Sequence, residues 1–207
     1  MKLVIATHNK DKAQEVSAIL NGLGFQIVTL DEFPDVGAIE EDQDTLEGNA
    51  LKKAREVFRQ TGLPSVADDT GLEVRYLNDA PGVYSSRYAG PGATYADNRK
   101  KLLDRMKGVP PRRRAAQFRS VVALVAPGSF ERTAEGACTG TITESPRGTG
   151  GFGYDPIFLP HGHSKTFGEL APDVKNKMSH RARALEALRP ALQEYLKTVK
   201  ESTSPKG

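Results

Sequence analysis

Two short polar segments each follow an apolar run typical of a β-strand. Residues 7–12 (Thr-His-Asn-Lys-Asp-Lys) follow the run 3–6, and the adjacent carboxylates Asp68 and Asp69 follow the run 65–67. Proteins of the α/β class commonly place ligand chemistry at the C-terminal ends of buried strands. The hydroxyl, amide and ammonium groups of the first segment suit an anion, whereas the two carboxylates suit Mg²⁺ or a general base. Phosphate-binding and metal-binding groups on one chain indicate an enzyme that cleaves a nucleotide.

The first segment allows two interpretations. It lies between a predicted strand and a predicted helix, so its backbone N–H groups and the helix dipole can meet a phosphate. Its side chains belong to Thr7, His8, Asn9, Lys10, Asp11 and Lys12. An ordinary capped turn, with Asn9 as the cap and the lysines in solvent, accounts for the same residues. The segment alone leaves both interpretations open.

The helix predicted over residues 45–60 carries one lysine at the edge of its apolar stripe. The period of 3.6 residues per turn places Lys53 about a fifth of a turn from Leu46 and Val57, with Asn49 beside it. A lysine in this position either extends to solvent or meets a buried anion. A phosphate site nearby would favour the second alternative.

Asp68 and Asp69 are consecutive residues of an extended segment, so their side chains face opposite ways. At most one of them points easily into a given cleft. A turn before Gly71 explains both aspartates without any ligand. Two adjacent ionised carboxylates are unfavourable without a nearby cation, however, and Glu40 and Glu41 in the acidic loop upstream could complete an oxygen-rich Mg²⁺ site.

A glycine-rich loop covers residues 147–153. Its glycines match G-x-G-x-x-G, but Ser-Pro precedes the pattern and Tyr-Asp-Pro follows it, so we reject a dinucleotide fingerprint. Phe152, Tyr154 and Asp155 suit a pocket for a flat base, through stacking and edge hydrogen bonds. A glycine-rich connection with its aromatic side chains in the core is the alternative.

Five basic side chains occur within nine residues near the C-terminus: Lys175, Lys177, His180, Arg181 and Arg183. We expect them at the start of the last helix, where the helix dipole opposes positive charge. An anion or a carbonyl-rich ligand nearby would explain them, with Arg181 meeting a ligand carbonyl and Arg183 in solvent. A solvated basic face is the alternative.

The composition is that of a globular protein. The chain has 207 residues, 38% hydrophobic and 27% charged, which suits one core with up to two lobes. No apolar run reaches the roughly 20 residues of a membrane span, no signal-peptide pattern is visible, and the single Cys138 indicates a reducing cytoplasm. Motifs of P-loop NTPases, zinc sites and serine hydrolases are missing from the sequence. The net charge of +3 is unevenly spread, with eight acids in residues 31–47 and nine Lys or Arg in residues 99–119.

The apolar patterning predicts an α/β fold in a single domain over residues 1–200, with a disordered tail over 201–207. Strands are predicted near residues 2–7, 25–30, 65–69, 72–77, 116–126 and 130–143. Helices are predicted near residues 10–21, 45–60, 94–106 and 179–200. The two long strands joined at Pro127 and Gly128 are expected to be antiparallel.

These motifs occur together and in order in a known family. The chain resembles the inosine triphosphate pyrophosphatases, hydrolases of non-standard purine nucleoside triphosphates such as dITP and XTP, over residues 2–198. The resemblance rests on Thr7-x-Asn9-x-x-Lys12, Glu40-Glu41, Asn49-Ala50-x-x-Lys53-Ala54, Ala67-Asp68-Asp69-Thr70-Gly71-Leu72, Ala80-Pro81-Gly82-Val83-Tyr84-Ser85-Ser86-Arg87, Gly151-Phe152-Gly153-Tyr154-Asp155-Pro156 and Ser179-His180-Arg181. Thr70 departs from the serine common in the family but keeps the hydroxyl group.

The resemblance implies a two-lobed α/β fold with a mixed β-sheet, flanking helices and an active-site cleft between the lobes. It implies Mg²⁺-dependent cleavage of ITP, dITP and XTP to the monophosphate and pyrophosphate, usually by a homodimer. Asp69 would be the base and would hold Mg²⁺ together with Glu40, a choice that the spacing could not make. Residues 7–12 and Lys53 would hold the triphosphate, and Thr70 would touch the substrate. The base pocket would consist of Phe152, Gly153, Tyr154, Asp155, Lys175, His180 and Arg181.

Two alternative functions remain open. A non-catalytic nucleotide-binding or RNA-binding protein would use the basic segment 99–119 and would need neither Asp69 nor Glu40. A septum-inhibitor-type nucleotide pyrophosphatase has a similar fold. Relative rates on ITP and dTTP would distinguish it from an inosine triphosphate pyrophosphatase. For the enzyme itself we expect no nucleic-acid partner and no membrane partner.

Overall fold

The computed structural model describes residues 1–203, and in that range seven strands form one mixed β-sheet. The strands are β1 (Lys2–Ile5), β2 (Gln26–Thr29), β3 (Ser65–Val74), β4 (Pro81–Gly82), β5 (Ala115–Ala126), β6 (Phe130–Ile142) and β7 (Phe158–Pro160). The α-helices are α1 (Lys10–Leu20), α2 (Leu46–Thr61), α3 (Tyr95–Arg105), α4 (Pro172–Met178) and α5 (His180–Thr203). The strand order is β2-β1-β3-β5-β6-β7, with β4 paired to β3. Because β1 runs parallel to β2 and β3, whereas β4 and β7 pair antiparallel to β3 and β6, the predicted mixed sheet with flanking helices is confirmed.

The chain divides into two compact units. The first unit contains residues 1–69, 121–136 and the chain from 181 onward, and the second contains residues 70–120 and 137–180. The chain therefore passes from one unit to the other within β3, β5 and β6, and again at the start of α5.

The core of the first unit is aliphatic. Side chains of β1, β3, β5, α1 and α5 form one buried cluster, which includes Leu3, Ile5, Val16, Val66, Leu124, Leu185, Leu188 and Leu192. Helix α2 is capped at both ends. The Thr45 side chain, just before the helix, accepts a hydrogen bond from the Gly48 backbone N–H at 3.0 Å, and Gly62, just after it, adopts the left-handed conformation. The buried face of α2 carries Asn49 and Lys53 beside its alanines and Leu46, as its spacing predicted.

The core of the second unit is aromatic. The ring centroids of Phe118 and Phe158 lie 4.7 Å apart, and those of Phe158 and Phe167 lie 5.1 Å apart. Helix α3 packs on this core through the fully buried Leu102 and begins with a capping box between Thr94 and the third helical residue.

Two arginines of the basic segment 99–119 make structural contacts inside the second unit. The buried Arg114 guanidinium donates to the backbone carbonyls of Met106, Val109, Ile142 and Thr143 at 2.7–3.3 Å. Arg119 pairs with Glu73 at 3.0 Å. These contacts give two of the nine basic side chains a structural function, whereas six others in the segment are exposed, so the alternative of an RNA-binding surface stays open.

Strand β3 is longer than predicted. We expected two strands separated near Gly71, but one strand runs through from Ser65 to Val74. A side chain at Gly71 would collide with the backbone of Gly82, so this glycine allows the close approach of β4 and does not form a turn. Asp68 and Asp69 therefore lie inside a strand that continues beyond the predicted end at residue 69, and the alternative of a turn at these aspartates was wrong.

The C-terminal part also differs from the prediction. Lys175 and Lys177 belong to the separate short helix α4, and α5 begins at His180 and continues to Thr203. The remaining residues of the predicted tail, 204–207, lie outside the described residues. Within residues 1–203 no helix is both long enough and apolar enough to cross a membrane.

Candidate active site

The segment 7–12 connects the end of β1 to the first turn of α1. The Thr7 hydroxyl accepts a hydrogen bond from the Asn9 N–H at 3.2 Å, and the Asn9 side chain accepts one from the Lys12 N–H at 3.1 Å. Asn9 is therefore the helix cap, as the alternative reading predicted. His8 is exposed, with Nε2 3.1 Å from the Gly37 carbonyl oxygen. The N-terminus of α1 is a suitable place for a phosphate, although Asn9 already occupies one of its backbone donors.

The side chains of Asp68 and Asp69 contact different helices, as the alternation along a strand predicted. Asp69 receives hydrogen bonds from Asn49 and Lys53 of α2, both at 3.1 Å. Asp68 faces Lys12 of α1 and Arg181 of α5, at 3.4 and 2.8 Å. The two carboxylates therefore occupy separate environments.

The Asp69 environment contains a buried ammonium group between two carboxylates. Lys53 Nζ donates to Asp69 Oδ1 at 3.1 Å and to Glu41 Oε1 at 2.6 Å, with only 8% of the lysine side chain exposed. The Gln43 N–H donates to Asn49 Oδ1 at 3.0 Å, so the amide nitrogen of Asn49 is directed at Asp69. We call Glu41, Asn49, Lys53 and Asp69 the Asp69 cluster.

The two carboxylates of this cluster differ in acidity. Burial raises the pKa of Asp69 above its ordinary value, against the attraction of Lys53 and Lys12, and the nearby Glu41 adds to the rise. Burial also disfavours the charged form of Glu41, but Lys53 and Lys12 outweigh it and lower the pKa of that carboxyl. Burial alone would lower the pKa of Lys53, but the charges of Asp69 and Glu41 outweigh burial, so its pKa lies above the ordinary value. Asp69 is consequently the more basic of the two carboxylates.

The structure brings Glu41 to Asp69, where the resemblance implied Glu40. Glu40 is exposed and lines a groove of about 600 Å³ on the outer side of α2, together with Lys52 and Arg55. Among the described residues, no group of three or more His, Cys, Asp or Glu side chains is arranged to hold a metal ion. Any cation here would thus rely on one or two protein carboxylates and on oxygen atoms of a ligand.

Arg181 lies in a buried ion-pair network. Its Nε and Nη2 donate to Asp68 Oδ2 at 3.1 and 2.8 Å, and its Nη1 donates to Glu15 of α1. Burial opposes ionisation of Asp68, yet Arg181 and Lys12 hold its pKa well below the usual range. We predicted a ligand carbonyl beside Arg181 because the dipole at the start of a helix does not stabilise a positive charge. Asp68 and Glu15 balance that charge instead, so the argument from the helix dipole was wrong, and a place for Arg181 in the base pocket stays a prediction.

The second unit contains a separate cluster of cation, carboxylate and aromatic rings. Lys175 Nζ donates to Asp155 Oδ2 at 2.5 Å and lies 4.8 Å from the ring centroid of Phe152 and 5.5 Å from that of Phe167. The Phe152 N–H also donates to Asp155 Oδ2, at 2.9 Å. Gly151 adopts a positive φ, and a side chain there would collide with the Asp155 carboxylate. We call Phe152, Asp155, Phe167 and Lys175 the Lys175 cluster.

Of the other predicted substrate-binding residues of the second unit, two are buried in the core. Tyr154 is buried and donates to the Ser85 carbonyl oxygen at 2.9 Å. The His180 ring is 2% exposed and stacks on Phe118 at 4.5 Å between centroids. Gly153 accepts a hydrogen bond through its carbonyl oxygen from Arg99, and the Thr70 hydroxyl donates to Ser120 Oγ at 3.1 Å. Of the pattern Phe-Gly-Tyr-Asp, the half-buried Phe152 is therefore the ring best placed to receive a flat ligand.

Known proteins are similar to this chain over nearly its whole length. The model of the Ham1 family matches residues 3–191. The chain belongs to the Ham1 family. A dITP/XTP pyrophosphatase from Geobacter sulfurreducens is 49% identical over 191 residues, which cover 92% of this chain and 96% of the relative.

Solved structures of Ham1 proteins share the fold. The HAM1 protein of Coxiella burnetii has a TM-score of 0.82 at 42% identity, covering 94% of this chain and 99% of that one. The Ham1 protein of Staphylococcus aureus has the same TM-score at 32% identity, covering 94% of this chain and 100% of that one. Ham1 membership confirms the resemblance inferred from the motifs.

Several residues of the two clusters and of the Arg181 network of this Ham1 chain were not among the predicted site residues. Glu15 lies three positions after Lys12, on the same face of α1, and this spacing was the signal for its part in the Arg181 network. Asn49 was placed beside Lys53 but given no role. Phe167 lies outside every quoted motif, and only the fold brings it to Lys175.

Proposed function

We propose that this chain hydrolyses ITP, dITP and XTP between the α- and β-phosphates, with Asp69 as the base that activates water. The chain is a nucleoside-triphosphate pyrophosphatase, the activity for which its curated relatives are named. The observation that carries the proposal is the Asp69 cluster, in which a buried carboxylate of raised pKa is held by Lys53 and Asn49.

The cluster has the properties that such a base requires. A carboxylate with a raised pKa accepts a proton more readily than an ordinary aspartate. The Asn49 amide and the Lys53 ammonium bind opposite oxygens of Asp69 and fix its orientation. Water attacks the α-phosphorus and loses its proton to Asp69, a new P–O bond forms, and the bond from the α-phosphorus to the bridging oxygen breaks. Pyrophosphate leaves, and the nucleoside monophosphate remains.

Mg²⁺ is the metal that this donor set would suit. Glu41 and Asp69 both bind one buried cation, Lys53, so their oxygens already share a position where positive charge is favourable. Mg²⁺ is commonly held by one or two carboxylates together with substrate phosphates. When bound, it would neutralise phosphate charge and polarise the reacting phosphoryl group. We propose Asp69 and Glu41 as its ligands, with Glu40 no longer required.

The remaining substrate contacts follow from each unit separately. In the first unit, residues 7–12 at the N-terminus of α1 would bind phosphate oxygens. In the second unit, Phe152 would stack on the purine, while Lys175 would donate to its 6-oxo group and Asp155 would accept from its ring N–H. An adenine carries an amino group and an unprotonated nitrogen at these positions, so it would offer neither protein group a hydrogen-bond partner and would be bound less well.

A substrate panel tests the proposal. The protein is incubated with ITP, dITP, XTP, ATP and dTTP, with and without Mg²⁺, and the monophosphate and pyrophosphate products are measured. We expect rapid pyrophosphate release from the first three nucleotides only, and only with the metal. Equal rates on dTTP would favour the septum-inhibitor type, and binding of ITP without turnover would favour a non-catalytic protein. The homodimer and the cytoplasmic location stay predictions.

A further inference from the structure

Two residues on one face of α3 contact the glycine-rich loop 147–153. Arg99 Nη1 donates to the Gly153 carbonyl oxygen at 2.7 Å. The ring centroid of Tyr95 lies 5.9 Å from that of Phe152, with the planes inclined at 41°. Tyr95 and Arg99 are four residues apart and therefore lie on the same face of the helix. We call these two residues the α3 clamp.

Helix α3 is itself firmly held. Its first turn is closed by the reciprocal capping box of Thr94 and Asp97. The buried Asn98 accepts from the Ala89 N–H at 2.7 Å and donates to the Ser86 carbonyl oxygen at 3.0 Å. Leu102 is fully buried in the aromatic core. The clamp residues therefore project from a helix whose position is fixed by packing and by hydrogen bonds.

The loop, in contrast, has few side chains with which to hold its shape. Four of the seven residues in 147–153 are glycine, and residues 148–151 are exposed. Glycine gives a backbone many accessible conformations, so a loop of this composition keeps one shape only where specific contacts hold it. Other contacts of the loop come from the chain that follows it: Asp155 accepts from the Phe152 N–H, the Gly150 N–H donates to the Gly168 carbonyl oxygen at 2.9 Å, and the Arg147 carbonyl oxygen accepts from the Thr166 hydroxyl at 2.8 Å. The clamp adds a charged hydrogen bond and a ring contact to the residues at and next to Phe152.

We propose that Tyr95 and Arg99 are positioning residues that fix the Phe152 ring for the purine. This inference rests on the proposed function, because it takes Phe152 as the stacking ring. Neither residue is assigned to the reacting phosphates, and both act through the loop. Loss of the clamp should therefore weaken nucleotide binding and leave the chemical step unchanged, because an ordered stacking ring contributes alike to the ground state and the transition state.

The test compares Arg99→Met with Lys100→Met, a matched change on the exposed side of the same helix, where Lys100 pairs with Asp104 at 2.8 Å. Hydrogen exchange is measured across the full chain, and KM and kcat are measured for dITP. In Arg99→Met we expect faster exchange of the backbone amides of the loop and a KM raised by roughly three- to tenfold at unchanged kcat. Lys100→Met should match the parent protein in all three quantities.

The second position is tested in the same way. Tyr95→Phe keeps the ring and should retain the parent KM, whereas Tyr95→Ala should raise it. Arg99→Lys, which keeps a cationic donor, should recover part of the loss seen in Arg99→Met.

The outcomes separate this inference from the proposed function. Unchanged loop exchange in Arg99→Met, faster exchange with an unchanged KM, or a fall in kcat alone would each overturn the clamp. A parent protein that neither binds nor cleaves dITP would instead refute the proposed function. In that case the exchange measurement would still show whether Arg99 holds the loop, but the clamp would lose its link to nucleotide binding and the inference would be refuted with it.

Discussion

The opposite environments of Asp68 and Asp69 lead to opposite effects when each charge is removed. Asp69→Asn keeps the shape of the side chain and an acceptor oxygen for Lys53, at the loss of the hydrogen bond from the Asn49 amide, but an amide cannot take a proton from water. General bases contribute about 10²–10⁴-fold to a rate, so kcat should fall by about that factor. Because burial raises the pKa of Asp69, the folded protein does not favour its charge, and Lys53 retains Glu41 as a partner. The melting temperature should therefore change by less than about 4 °C, which corresponds to about 1 kcal/mol for a chain of this size.

Asp68→Asn should have the converse effect. The Asp68 carboxylate accepts two hydrogen bonds from the guanidinium of Arg181, which is 1% exposed, and its pKa is held well below the usual range. Removing one partner of a buried ion pair costs about 3–5 kcal/mol, and this energy corresponds to a melting temperature lower by about 6–20 °C. Below that melting temperature the variant should retain most of its turnover, because Asp68 is not the base.

The assay is the same for both variants. Pyrophosphate release from dITP gives kcat at 25 °C, and calorimetry gives the melting temperature of each protein. We expect Asp69→Asn to lose activity and keep its stability, and Asp68→Asn to lose stability and keep its activity. An active Asp69→Asn protein would show that the wrong aspartate was chosen as the base, and equal destabilisation of both variants would show that the two environments do not differ in the way described.

The remaining predictions use neighbouring charges as controls. Lys53→Met should lower kcat/KM for dITP by about 100-fold or more, since it leaves the buried Asp69 and the partly buried Glu41 without their shared cation. Lys52→Met, which removes a partly exposed pair, should change kcat/KM less than about twofold. Equal losses in initial-rate assays would contradict the difference in burial. Arg181→Ala should lower the free energy of unfolding by about 3–5 kcal/mol in urea titrations. Arg183 is exposed, so Arg183→Ala should change this free energy by no more than about 0.5 kcal/mol. A stable Arg181→Ala protein would show that the ion-pair network contributes little. The folded-state pKa of Asp68 lies below the ordinary 3.8, so its contribution is fully present above about pH 4 and is lost as the pH falls further. Between about pH 4 and pH 3 the parent should therefore lose stability faster than Asp68→Asn, by up to about 1.4 kcal/mol per pH unit, and parallel curves in urea titrations would count against the shift.

The parts of the molecule that the sequence predicted well are those governed by local periodicity. The stripe of α2 placed Lys53 and Asn49 on its buried face, and the alternation along β3 separated Asp68 from Asp69. Asn9 was identified as a possible cap from its position between an apolar run and a helical pattern. Each of these inferences needs only the geometry of one element.

The parts that the sequence did not predict depend on contacts between distant segments. The fold brings Glu15 and Asp68 to Arg181, and no spacing within α5 indicates that two carboxylates will be there. The choice between Glu40 and Glu41 depends on how an irregular loop lies against α2, where no periodicity applies. A break was predicted near Gly71 because nothing in the sequence identifies the two-residue strand β4 as its neighbour. The close approach of Gly82 in β4 is the reason that residue 71 has no side chain.

The Arg181 network also has a consequence for how the protein is made. Asp68 and Glu15 precede Arg181 by 113 and 166 residues. At about 5–20 residues per second, roughly 6–23 s separate the synthesis of Asp68 from that of its guanidinium partner. During this time neither carboxylate can pair with Arg181, and the aliphatic core still lacks the leucines of α5. The first unit can therefore be completed only after the ribosome has added the last helix. A product interrupted before residue 181 would keep its apolar strands exposed and would be recognised by proteases as unfinished.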